Sequence, residues 1–144
     1  MKIAIGCDHA AFNEKSMLLD YIKLELHHDV VDLGAYSSGS VDYAEYGHLV
    51  GSAIINKQAD RGIVLCGSGI GISIAANKIK GIRAALCTSV EHAEMSRKHN
   101  DANILALGAR FTSFEQIKLI VDSWLCTEFE GGRHLRRVNK IEIF

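Results

Sequence analysis

The sequence lacks proline, long apolar runs and closely spaced cysteines. Because no run approaches the roughly 18 apolar residues that a transmembrane helix needs, we expect no membrane-spanning segment and no membrane partner. Met1 leads directly into KIAIGC without a signal-peptide pattern, which indicates a soluble, cytoplasmic protein. The four cysteines form no C-x-x-C pair, so the sequence favours neither a disulfide framework nor a zinc site.

An excess of charge of one sign is also lacking. The chain of 144 residues carries 16 Lys and Arg against 17 Asp and Glu, a formal net charge of -1. No overall field therefore favours nucleic acid as a partner, and any anion site must be local. With 48% hydrophobic residues the chain is long enough to bury one core, so we expect a single domain over residues 1–144.

Short apolar runs alternate with segments of helical period, which indicates an α/β protein. We predict five buried parallel strands, at 2–7, 29–34, 61–66, 83–87 and 103–108. We predict helices at 10–26, 42–57, 69–79, 90–100 and 113–126. Thr88 with Glu91 and Thr112 with Glu115 have capping-box spacing, which predicts where the last two helices begin.

Five strand-then-helix units predict a doubly wound fold, Rossmann- or flavodoxin-like, around a five-stranded parallel sheet. The expected strand order is 2-1-3-4-5. In such a sheet, ligands bind beyond the carboxyl ends of the strands where the order reverses, here between the first and third strands. Functional residues are therefore expected directly after the strands.

Polar, titratable and glycine residues do follow the predicted strands. They are Cys7, Asp8 and His9 after the first strand; Cys66, Gly67, Ser68, Gly69 and Gly71 after the third; Thr88 after the fourth; and Gly108 and Arg110 after the fifth. The glycine turn is not a dinucleotide fingerprint, because Ile72 stands at the third glycine position, and it lacks the Gly-Lys-Ser/Thr of a P-loop. Its backbone N–H groups at a helix N-terminus still suit an oxyanion or a small phosphate.

Cys66 has two interpretations. A helix N-terminus stabilises a thiolate, so this thiol could act as a base or a nucleophile. Alternatively, a cysteine that ends a buried strand only packs, which is how we interpret Cys87 and Cys126. Asp8 and Ser68 have a similar structural alternative as N-caps. The residues themselves leave these alternatives open.

The basic segment GGRHLRRVNK, residues 131–140, is open to two interpretations as well. Arg133 and Arg137 are four residues apart and would share one side of a helix, where two guanidinium groups suit a phosphate. The same segment is also typical of an ordinary solvated face. His9 and His99 are explained equally well by favourable positions relative to helix dipoles.

Six segments carry a resemblance to a known family, and they are GCDHAAF (6–12), VDYAEY (41–46), CGSGIGISIAANK (66–78), GIRAALC (81–87), HNDANILALGAR (99–110) and EFEGGRHLRRV (128–138). Together they resemble the ribose-5-phosphate isomerase B family, in the family's order and spacing and over essentially the whole chain. This grouping also contains the subunits of galactose-6-phosphate isomerase, so the resemblance alone does not fix the sugar.

The resemblance implies reversible conversion of ribose 5-phosphate into ribulose 5-phosphate without a metal or another cofactor. Cys66 would be the base that moves a proton between C2 and C1. Ser68 and the turn containing Gly67, Gly69 and Gly71 would hold the enediolate oxygen, and His99 with Asp8 would open the sugar ring. The residues implied for phosphate binding are His9, Arg110, Arg133 and Arg137, and those implied to line the pocket are Tyr43 and Asn100.

The resemblance also implies a homodimer with active sites shared between the subunits, in which the C-terminal helical tail packs on the partner. Pairing of dimers into a tetramer is left open. Two alternatives to the pentose reaction remain. One is an isomerase of allose 6-phosphate or galactose 6-phosphate, and the other is a non-catalytic sugar-phosphate sensor on the same fold.

Overall fold

Five parallel strands form one sheet in the computed structural model, which describes residues 1–143. The strands are β1 (Lys2–Cys7), β2 (Asp29–Asp32), β3 (Arg61–Cys66), β4 (Ala84–Leu86) and β5 (Ile104–Gly108). All four neighbouring pairs are parallel. All five predicted strands are confirmed, and β1, β3 and β5 are aliphatic because both faces of the sheet are covered.

The strand order is β2-β1-β3-β5-β4, so the predicted order 2-1-3-4-5 was wrong for the last two strands. Every residue of β5 is buried, and β5 pairs with β3 on one side and β4 on the other. The three residues of β4 are only half-buried, as expected of an edge. At that edge the Asn77 side chain donates to the Ala84 C=O at 2.9 Å and accepts from the Ala84 N–H at 2.8 Å. The longer, more apolar run NILALG was the signal for the interior strand.

Helices cover both faces of the sheet, which confirms the doubly wound architecture. They are α1 (Phe12–Asp20), which a π-helical turn at Tyr21–Glu25 extends, α2 (Tyr43–Ile55), α3 (Ile70–Asn77), α4 (Val90–Asn100), α5 (Phe114–Cys126) and α6 (Arg133–Val138). Successive residues of β1 alternate between two cores. Ile3 and Ile5 pack with Trp124 of α5, whereas Ala4 packs with Val50 of α2.

α4 begins at residue 90 as predicted and α5 begins one residue later than predicted, but both capping residues lie one position after the predicted threonines. The capping side chains are Ser89, which accepts from the His92 N–H at 3.2 Å, and Ser113, which accepts from the Gln116 N–H at 3.3 Å. Both serines have extended backbone conformations, so each stands outside its helix. The threonines before them belong to the preceding loops.

The sheet brings the ends of β1 and β3 together. Cys7 pairs in register with Leu65, so Asp8 and Cys66 leave neighbouring strands at the same edge. The Asp8 N–H donates to the Leu65 C=O at 3.1 Å and continues this pairing beyond β1. The switch point therefore lies where the sequence predicted it. Within residues 1–143 no helix combines the length and apolar character that crossing a membrane requires.

The observed strand order can be tested by replacing one leucine in each of two neighbouring strands, β5 and β4. Leu105→Ala in β5 should lower the free energy of unfolding by about 3–5 kcal/mol, because the side chain is fully buried. Leu86→Ala in β4 should cost only about 1–2 kcal/mol, because less apolar surface returns to water from a half-buried edge residue. Equilibrium urea denaturation measures both values. An equal or larger loss for Leu86→Ala would contradict an edge position for β4.

Candidate active site

A cavity of about 320 Å³ opens at the carboxyl ends of β1 and β3. Its walls come from the segments after β1, β3 and β5 and from the start of α2. The residues that line it are Asp8, His9, Ala10, Tyr43, Cys66, Gly67, Ser68, Gly71, Arg110 and Phe111. Eight of the predicted site residues therefore meet in one place.

Cys66 ends β3 and reaches this cavity, although its side chain also packs with the core between the sheet and α2. Its sulfur accepts the Gly69 N–H at 3.1 Å, and the Ser68 hydroxyl accepts the Ile70 N–H at 3.2 Å. Gly69 has a φ of +77°, which turns the chain into α3 and points its N–H back toward the sulfur. The sulfur therefore lies at the start of a helix with a backbone donor beside it and the cavity in front of it, where it can reach a bound molecule.

Two glycines of this turn permit close contacts with functional side chains. A Cβ at Gly67 would lie 3.1 Å from Nη1 of Arg110, so the guanidinium lies across the glycine. A Cβ at Gly71 would lie 2.6 Å from Cζ of Tyr43, so that ring covers the start of α3. Because neither glycine has a side chain, Arg110 and Tyr43 can lie this close to the turn and form part of the cavity wall.

Asp8 and His9 begin the turn that follows β1. The Asp8 carboxylate accepts the Ala10 N–H at 3.0 Å, so this residue does cap the turn, and it is 7% exposed at the cavity wall. The Val41 N–H donates to Nδ1 of His9 at 3.1 Å. Nδ1 also lies 3.3 Å from the Val41 carbonyl oxygen, so the Val41 backbone occupies this nitrogen and Nε2 is left for a ligand.

Four of the predicted residues lie elsewhere in the protomer. His99 and Asn100 end α4, and Arg133 and Arg137 lie exposed on α6, which confirms that the basic tail is helical. α4 is about 16 Å long and runs back from the carboxyl end of β4 to the amino end of β5, so its last residues lie beside the amino ends of the strands, opposite the Cys66 cavity. Asn100 lines a different cavity, of about 450 Å³. One protomer therefore does not bring these four residues to Cys66.

A group of potential metal ligands accompanies His99. Ligand atoms of His99, Glu130 and His134 all lie within 4.8 Å of one another. The two imidazole rings are stacked, with centroids 4.2 Å apart and planes at 12°. A histidine binds a metal in the plane of its ring, and two nearly parallel planes share no point within the cluster. This arrangement therefore does not fit a metal ion.

Two of the other thiols, Cys7 and Cys87, are buried in a core and do not line the Cys66 cavity. Burial raises the pKa of Cys7 to about 11, against a smaller lowering by the Lys15 ammonium. Burial also raises the pKa of Cys87 to about 11, against a hydrogen bond with Ser96. Both side chains belong to the core around α1 and α5, so they are neutral packing residues.

The family-model comparison matches residues 3–141 to the ribose/galactose isomerase family. The chain belongs to this family. It is 46% identical over 140 residues to the ribose-5-phosphate isomerase B of Escherichia coli, covering 97% of this chain and 93% of that protein. The resemblance inferred from the six segments is thereby confirmed.

Solved structures of family members match the fold closely. The ribose-5-phosphate isomerase B of Clostridium thermocellum has a TM-score of 0.96 at 52% identity, covering 98% of this chain and 95% of that one. The enzyme of Mycoplasma genitalium, solved with bound ribulose 5-phosphate, has a TM-score of 0.91 at 40% identity, covering 97% and 93%.

Three residues near these sites were missed by the sequence analysis. Phe111, 81% exposed, lines the cavity beside Arg110. Its position after the fifth strand was a usable signal. His134, buried, and Glu130, which contacts it, belong to the family segment EFEGGRHLRRV, but nothing in the sequence shows that they reach His99.

The thiols should differ in their reaction with iodoacetamide at pH 8. Cys126 is exposed and should react first, and Cys66, 5% exposed at a cavity wall, should follow. Cys7 and Cys87 should stay unmodified until the protein unfolds, because a thiol with a pKa of about 11 is ionised in about one molecule per thousand at pH 8. Peptide mass spectrometry gives the order. Modification of Cys87 before Cys66 would contradict this assignment.

Proposed function

We propose that this protein is an aldose-ketose isomerase that interconverts ribose 5-phosphate and ribulose 5-phosphate. The observation that carries the proposal is the Cys66 sulfur, held by the Gly69 N–H at 3.1 Å in a cavity that also contains Arg110 and His9. A base, amide donors and two groups suited to a phosphate thus share one crevice. Membership of the ribose/galactose isomerase family and the neighbour with bound ribulose 5-phosphate support it.

The reaction needs a proton to move between adjacent carbons. The Cys66 thiolate removes the proton from C2 of the open-chain aldose, the electron pair forms a C1=C2 double bond, and negative charge develops on O1. Return of the proton to C1, with transfer of the hydroxyl proton from O2 to O1, gives the ketose. N–H groups of the 67–71 turn and the Ser68 hydroxyl stabilise the developing oxyanion, where one well-placed donor contributes about 3–4 kcal/mol.

The phosphate lies away from the reacting carbons. Arg110 presents a planar fork of donors across Gly67, and His9 presents Nε2 because Nδ1 contacts the Val41 backbone. Binding energy at this end fixes the orientation of C1 and C2 relative to sulfur. Tyr43 closes the side of the cavity over Gly71.

A second protomer completes the proposed site. Opening the furanose ring requires proton exchange at the ring oxygen, for which His99 together with Asp8 is suited. His99, Asn100, Arg133 and Arg137 lie at the far edge of their own sheet, so a partner must supply them to Cys66. Ile70 and Ile74, 53% and 55% exposed on α3 beside the cavity, provide an apolar surface for that partner. Assembly into tetramers and a cytoplasmic location stay predictions.

Incubation with ribose 5-phosphate in heavy water tests the reaction. Because the thiol exchanges its proton with solvent, the ketose should carry deuterium at C1, detected by NMR. Cys66→Ala should keep the fold and lower kcat by about 10²–10⁴-fold, the contribution typical of a general base. Cys126→Ala, at an exposed cysteine outside the cavity, is the matched control and should keep normal activity. Near-normal turnover by Cys66→Ala would exclude sulfur as the base.

Substrate preference is tested with the same assay. Comparing kcat/KM for ribose 5-phosphate, allose 6-phosphate and galactose 6-phosphate separates the pentose reaction from the hexose alternatives. Calorimetric binding of these sugars without any turnover would instead support a sensor.

Mixed dimers test the shared site. Cys66→Ala and His99→Gln should each be inactive alone. When they are denatured together in equal amounts and refolded, half of the dimers are mixed and one of their two sites is intact, so about a quarter of normal activity should return. Activity that stays at the level of the separate variants would contradict a site built from two chains.

A further inference from the structure

His99 is covered on one ring face by a residue that has no role so far. Its imidazole stacks on that of His134 in α6, with centroids 4.2 Å apart and planes at 12°. His134 is 6% exposed, whereas His99 is half-buried. Nε2 of His134 lies 3.4 Å from a carboxylate oxygen of Glu130. The three side chains form one cluster at the end of α4, outside the Cys66 cavity.

The backbone holds this cluster in place. The Glu130 N–H donates to the Lys98 C=O at 3.2 Å, which ties the segment before α6 to the last turn of α4. Gly131 and Gly132, with φ values of +66° and +54°, let the chain reverse direction directly after this attachment. The His134 N–H then donates to the Gly131 C=O at 3.0 Å. Glu130 and His134 are therefore fixed against α4 independently of any ligand.

The charges around His134 favour its neutral form. Burial lowers the pKa of His134, and the neighbouring His99, Arg133 and Arg137 lower it further, whereas the Glu130 carboxylate opposes them. A neutral ring can stack on its partner in either protonation state of that partner, but two imidazolium rings 4.2 Å apart would repel each other. The stack therefore persists while the outer ring gains and loses a proton.

We propose that His134 and Glu130 are positioning residues for His99. They hold the His99 ring flat against the buried His134 imidazole, so that the His99 nitrogen that transfers the proton keeps one direction. This inference rests on the proposed function, in which His99 exchanges a proton during opening of the sugar ring. The nearly parallel rings argue against a shared metal ion, as described above. When this nitrogen keeps one direction, the bound sugar and the nitrogen are in the geometry for proton transfer more of the time, and kcat is higher.

Steady-state kinetics on ribose 5-phosphate separate positioning from binding. His134→Ala should lower kcat by about 10–100-fold with KM changed by no more than about 3-fold, because misplacement of a catalytic group acts on the transition state. His134→Phe keeps a flat buried ring and should keep kcat within about 3-fold of normal. Glu130→Gln should lower kcat by about 3–10-fold, since the Nε2 contact loses its charged acceptor. Glu128→Gln, at an exposed glutamate nearby, is the matched control and should have no effect.

The stack itself is measured without turnover by NMR of protein labelled at histidine. The ring resonances of His99, identified with His99→Gln, should show a ring-current shift that His134→Ala removes and His134→Phe retains. Loss of this shift together with the kcat effect supports the proposal. Unchanged kcat in His134→Ala, a rise in KM alone, or loss of activity in His134→Phe with the ring-current shift retained would overturn it. An inactive wild-type protein would overturn the proposed function and this inference together.

Discussion

The docking of the 66–71 turn onto the end of β5 is the constraint on which the site depends. The Ala109 N–H donates to the Cys66 C=O and the Arg110 N–H to the Gly67 C=O, each at 2.9 Å. Gly108 has no side chain at this contact, and a methyl group there would overlap the Ser68 carbonyl. These contacts aim the sulfur into the cavity and place Arg110 beside it. They exist only because β5 lies directly beside β3.

The error in the predicted strand order therefore matters for function. In a 2-1-3-4-5 sheet, β4 would separate β3 from β5, and Arg110 would leave the sheet one strand farther from Cys66. The choice between the two orders depends on which strand is buried more completely, and that is a property of packing. Helix and strand positions were predictable because apolar periodicity is local, and the serine caps were missed by one residue because Ser and Thr stand side by side at both starts.

The two halves of the proposed site differed in how they could be found. Asp8, Cys66 and Arg110 follow from the rule that ligands gather at the carboxyl ends of parallel strands, applied to one chain. His99 and Arg137 lie at the opposite edge of the sheet. The spacing of Arg137 from Arg133 suggested a phosphate ligand, but only the family resemblance assigned Arg137 and His99 to the same site as Cys66. Neither periodicity nor residue spacing in a sequence shows which surface of a second copy of the chain will contact the first. The stack of His99 on His134 lies within one chain, and it had no signal before the structure because no residue spacing shows that α6 packs on α4.

The edge at β4 restricts how copies of this chain can associate. A strand at the rim of a sheet normally offers free N–H and C=O groups on which another molecule can add a strand. Here the strand has three residues, and the Asn77 amide occupies the outward N–H and C=O of Ala84. Growth of a continuous intermolecular sheet from this edge is therefore discouraged.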